Sequence, residues 1–122
     1  MSRRSIMNIN VFKGAQLVAK NTTETSTAID LRRAAQNGQF SIEYTLTGEG
    51  TATIGYTVCS SKDGTYFTPT GATTIATALT KTPGHGGLSF TPPVYPWMKI
   101  YVTETKNSGT DTITATIILN VQ

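Results

Sequence analysis

Acid–base and metal chemistry usually runs through carboxylates, histidine and cysteine, and this chain holds seven, one and one of them. His85 lies in "GHGG", where flanking glycines offer neither a positioned partner nor a settled rotamer for a general base. It reads as an exposed loop residue. Cys59 excludes an intrachain disulfide and any cysteine-based zinc site, and reads as a small residue of a strand. Glu49, Asp63 and Asp111 stand in or beside turns, and Glu43 and Glu104 read as outward strand residues. A glycosidase needs two carboxylates facing each other across a cleft, and no spacing here sets up such a pair.

The stretch "SSKDGTYFTP" is the best candidate for a calcium loop. Calcium takes several oxygen ligands at alternate positions and a late glutamate, whereas this stretch offers Asp63 alone. Asp63-Gly64 between alternating segments is instead a hairpin signal. "TPGHGG" has a phosphate-loop composition, but such loops work at the start of a helix, and here a strand and prolines follow. Tyr66, Tyr95 and Trp97 form a stacking platform for a glycan if exposed. The alternative is that Phe90, Tyr95 and Trp97 plug the end of a core. No catalytic set, cofactor site or metal site is expected.

The elements that would position these residues are strands. "QFSIEYTL" puts Phe40, Ile42, Tyr44 and Leu46 on one face, and "TATIGYTVCS" does the same with Ala52, Ile54, Tyr56 and Val58. Gly55, on the other face, marks a bulge or a close neighbour. "WMKIYVTET" turns Met98, Ile100 and Val102 inward. "TITATIILNVQ" turns Ile113, Ala115, Ile117 and Leu119 inward. A strand is also expected near 73–79 and another near 28–32. Asn37-Gly38, "TGEG" and "KNSGTD" are turns. Pro92, Pro93 and Pro96 forbid a central strand and suit a crossing between sheets.

A chain of 122 residues is one domain by size. Threonine makes up roughly a fifth of it, far above ordinary usage, and threonine suits half-exposed sheets. The expected fold is an all-β, two-sheet antiparallel β-sandwich, jelly-roll or Ig-like, over 21–122. Residues 1–20 are an extended N-terminal arm or an edge strand. The net charge of +3 divides into +4 through Arg33 and −1 beyond it. A basic beginning on a neutral body suits contact with an acidic surface. The basic residues lack the interleaved aromatics of a single-strand binder, which disfavours direct nucleic-acid binding. No apolar run is long enough to span a membrane. "MSRRSIMNINVF" has no signal-peptide pattern and reads as retained in a protein folded in a cytoplasm.

"GQFSIEYTLTGEGTATIGYTVCSSKDGTYFTP" and "LSFTPPVYPWMKIYVTETKNSGTDTITATIILN" together resemble small β-sandwich virion structural proteins of tailed bacteriophages. The likeness spans roughly 28–120 and lies in turns and core positions: a "TGxGT" turn, a strand ending in Ser-x-Asp-Gly with an aromatic after it, and a closing aromatic-x-Lys-Ile-x-Val-Thr strand. It implies a non-enzymatic, oligomeric virion component, either a capsid decoration or head-associated protein or a tail accessory. Its partners would be the major capsid protein or tail subunits. Arg3, Arg4, Ile6, Ile9, Val11 and Phe12 would then be the arm's contacts. The other reading is a tail-associated carbohydrate-binding or host-adhesion module using Tyr66, Tyr95 and Trp97.

Overall fold

The computed structural model describes residues 7–32, 39–59, 73–93, 95–106 and 108–121. Their strands are β1 (Met7–Asn10), β2 (Gln16–Val18), β3 (Thr23–Thr25), β4 (Ile29–Asp30), β5 (Phe40–Thr47), β6 (Ala52–Cys59), β7 (Thr73–Leu79), β8 (His85–Phe90), β9 (Trp97–Glu104) and β10 (Ile113–Val121). Every pairing is antiparallel. One sheet runs β1-β10-β5-β8 with β2 also on β10; the other runs β3-β9-β6-β7 with β4 also on β9.

Two edge strands are interrupted. β1 and β2 share the same flank of β10, and the Val11 N–H donates to the Ile117 carbonyl at 3.0 Å between them. Lys13 and Gly14 take positive φ values of 59° and 135° in the excursion that separates the two pieces. β3 and β4 share β9 in the same way. Between them the Ser26 N–H donates to the Ile100 carbonyl at 2.8 Å, while the Ser26 hydroxyl accepts from the Ile100 N–H at 3.0 Å. A side chain thus replaces a missing ladder partner, so the Ile100 N–H is not left unpaired.

Counting each interrupted pair as one strand, the chain is a long antiparallel ribbon. β1/β2 lies on β10, β3/β4 on β9, β5 on β8, and β6 on β7. The pairings β10–β5 and β9–β6 roll this ribbon into two facing sheets. That is the jelly-roll order, and it excludes the Ig-like alternative. The core lies between the sheets. Ile113, Ala115, Ile117, Leu119 and Val121 face Met98, Ile100, Val102, Ile54 and Ala52, and all are fully buried. Each large apolar side chain removed from water contributes about 1.5–3 kcal/mol, so the alternation of β9 and β10 supplies much of the driving force.

The expected strands and inward faces of β5, β6, β9 and β10 are present. The crossing at Thr91–Pro96 also stands as expected, joining β8 of one sheet to β9 of the other. One expectation needs correction: "GHGG" is not a loop. His85, Gly86 and Gly87 form the first half of β8, held in register against Thr45, Tyr44 and Glu43. Asn37-Gly38 and Asp63-Gly64 lie outside the described residues.

Val11, at 5% exposure, packs in the core although it lies near the start of the chain. Val11→Ala is therefore expected to lower unfolding free energy by about 1–3 kcal/mol, measured by urea denaturation. An unchanged midpoint would mean that this segment is not docked.

Candidate interaction surface

Among the described residues, each carboxylate except Glu24 has a partner. Arg32 forms a fork on Asp30, with Nε–H to Oδ1 at 2.9 Å and Nη2–H to Oδ2 at 2.8 Å. That hydrogen bond, with the charge behind it, raises the guanidinium pKa above its ordinary value. The group is exposed and stays charged throughout, so this has no functional consequence. Lys81 pairs with Glu49, Lys106 with Asp111 at 3.1 Å, and Asn120 donates to Glu43 at 3.2 Å. No group of three or more His, Cys, Asp or Glu among these residues converges as a metal site would.

Glu104 corrects the sequence expectation most sharply. It is not outward-facing: it continues the inward row of Met98, Ile100 and Val102 and is fully buried. Its Oε1 accepts from the Asn21 N–H at 3.1 Å, and its Oε2 accepts from the Thr51 N–H at 3.0 Å and the Lys106 N–H at 2.8 Å. Gly50 leaves the space: a Cβ there would stand 2.9 Å from Oε2 and 3.0 Å from the Thr112 carbonyl. The carboxylate is fully buried and faces backbone donors of three loops, which it clasps together.

The outer face of the β3-β9-β6-β7 sheet carries the aromatics. Tyr101 lies over Gly55, the close neighbour that this glycine signalled, and a Cβ at 55 would collide with the phenol. Trp97 is half-buried with the Arg32 guanidinium 4.9 Å from its ring centroid, a cation–π contact. Tyr95 is 37% exposed, so it does not plug the core. That plug is Phe90, packed against Phe40 at 5.6 Å and Tyr56 at 5.3 Å between ring centroids. Tyr66 lies outside the described residues.

Among the described residues the outer face of the other sheet is mostly polar and nearly uncharged, with Leu17 of β2 exposed beside Thr114. Ser41, Glu43, Thr45 and Thr47 of β5 stand beside Thr114, Thr116, Ile118 and Asn120 of β10. His85 is exposed at its margin. Of the expected arm contacts, Ile9 and Phe12 are half-buried against their own core and Val11 is inside it. Arg3, Arg4 and Ile6 lie outside the described residues. No protein-family model matches the chain, and no curated protein matches it in sequence.

The clasp predicts a specific loss. Glu104→Gln keeps the volume but turns an N–H₂ toward backbone donors, and is expected to cost about 1–3 kcal/mol. Glu104→Ala, which leaves all three donors unpaired, should cost more. Thermal melts of both variants check this; a melting temperature unchanged in Glu104→Gln would contradict the clasp.

Proposed function

We propose that the chain is a non-enzymatic structural subunit of a tailed-bacteriophage virion, a capsid-decorating or head-associated accessory that binds other virion subunits through its surfaces. The observation that carries this reading is how its chemistry is distributed. Among the described residues most carboxylates are paired locally, the buried acid is committed to backbone donors, and much of what remains exposed is hydroxyl-rich sheet and open strand edge. Such a surface suits repeated protein contact better than turnover. The sequence resemblance supports the same reading, and jelly rolls serve in viral capsids as well as in lectins. Fold alone assigns no function.

The docking of residues 7–18 on β10 changes where attachment is sought. Removing Val11 and β1 would damage the body itself, so the basic residues Arg3 and Arg4 are the proper test. A chain lacking residues 2–6 is expected to keep its melting temperature within a few degrees, because β1 and the buried Val11 are retained. It should also fail to co-sediment with particles that bind the full chain. Normal co-sedimentation would remove these residues from the interface.

Tyr95 and Trp97 favour a second reading as a carbohydrate-binding or adhesion module at the tail, because Tyr95 is exposed and Trp97 is not sealed in the core. Against it, Arg32 already occupies a face of Trp97. A glycan array with specific hits that disappear in Trp97→Ala would establish this second reading. A blank array would leave the assembly reading alone.

A further inference from the structure

The four sheet edges are not alike. β1/β2 is broken by the excursion at Lys13 and Gly14, and β3/β4 is broken at Ser26 and ends in the charged Asp30–Arg32 pair. β7 carries register shifts against β6 and a positive φ of 58° at Ala78. Bulges, breaks and charges are how proteins keep an edge from pairing with another chain. β8 has none of them. Its six residues, "HGGLSF", pair with β5 in unbroken register and include no Lys, Arg, Asp, Glu or Pro.

The hydrogen-bond phase of this edge follows from one contact. The Leu46 N–H donates to the Gly84 carbonyl at 2.6 Å, so the backbone groups of Gly84, Gly86, Leu88 and Phe90 point toward β5. Those of His85, Gly87 and Ser89 point away, and among the described residues nothing pairs with them. Gly87 is the second observation. Its φ is not positive, and a Cβ there would meet only the Ile42 carbonyl at 3.8 Å. Gly86, by contrast, makes room for Tyr44. A glycine that its own fold does not require weakens a strand, and it often marks the close approach of another backbone.

We propose that β8 is a self-association edge that pairs antiparallel with β8 of a second copy about a two-fold axis at Gly87. That register places Gly87 opposite Gly87 of the second copy and His85 opposite Ser89, so each residue whose backbone groups point outward meets another such residue. Each such pair exchanges two bonds, giving about six in all. Pro83 and Pro92 bound the segment, and centring the axis on His85 or Ser89 would bring one of these prolines, or the residue next to it, opposite an outward-facing residue. The uncharged edge adds no repulsion between copies, and the contact is isologous, so it closes as a dimer. Its biological use rests on the assembly reading above, but the pairing is testable apart from it.

An edge of this length buries less than the roughly 1,200 Å² of a stable interface, so the dimer is expected to be weak and concentration-dependent. Sedimentation velocity on the full chain from roughly 1 µM to roughly 1 mM spans the affinities such interfaces have. The expected result is a reversible monomer–dimer equilibrium. Amide exchange at His85, Gly87 and Ser89 should slow as concentration rises. Gly87→Pro removes only an outward N–H, so it should keep the fold and weaken association by about tenfold or more. Gly87→Lys has room for its side chain and sets two like charges opposite each other, and should do the same. A chain that stays monomeric throughout would overturn the proposal, as would a dimer whose protected amides lie on another edge. A monomeric chain that still bound particles would overturn the edge pairing and leave the assembly reading standing.

Discussion

The fold depends on one buried carboxylate at the end of the sandwich where four connections pass between the sheets. These are 19–22 from β2 to β3, 48–51 from β5 to β6, 80–84 from β7 to β8, and 105–112 from β9 to β10. Glu104 accepts a backbone hydrogen from three of them. The fourth is tied in by Lys81 on Glu49. Around the same point the Gly50 N–H donates to Thr112 and the Thr105 N–H to Thr51. A buried charge is costly unless its lone pairs are filled. Here charge-assisted bonds to backbone donors fill them, and the same bonds fix where the ribbon turns over. The ladders hold strands within a sheet; Glu104 holds the turns that bring one sheet over the other.

Among the described residues, that arrangement takes up little of the outer faces and edges of the sandwich. One outer face is a field of hydroxyls and amides around Thr45 and Thr116. The other is organised by Tyr101 over Gly55 and Arg32 over Trp97. Neither concentrates charge. Among the described residues three of the four edges are broken or bulged, and only β8 is regular and carries no bulge, break or charge. A molecule built this way offers extended, shallow contact area, which is what repeated association with other subunits uses.

Much of this was legible in the sequence where the pattern is local. Period-two alternation marks β5, β6, β9 and β10 with their inward residues, because each is long enough to bury a full row. Gly55 announced a bulge or a close neighbour, and both are present: the β6–β7 register shifts between Ile54 and Gly55, and Tyr101 is the neighbour. The failures have physical causes. Glu104 shares the parity of Met98, Ile100 and Val102, and parity alone would have placed it inside; its charge argued the other way, and only its distant backbone donors reverse that argument. "GHGG" reads as a loop because glycine and histidine carry no strand signal, yet register with β5 extends β8 through them. The short pieces β1 to β4 exist because β9 and β10 offer flanks to pair with, and such long-range pairing leaves little trace in three or four residues. Strand order is unreadable for the same reason.

The proposed role as a particle subunit is tested most directly by the protein's abundance in purified particles. Quantitative mass spectrometry of such particles should find it in copy numbers comparable to the major shell protein. Absence from the particles would contradict that role.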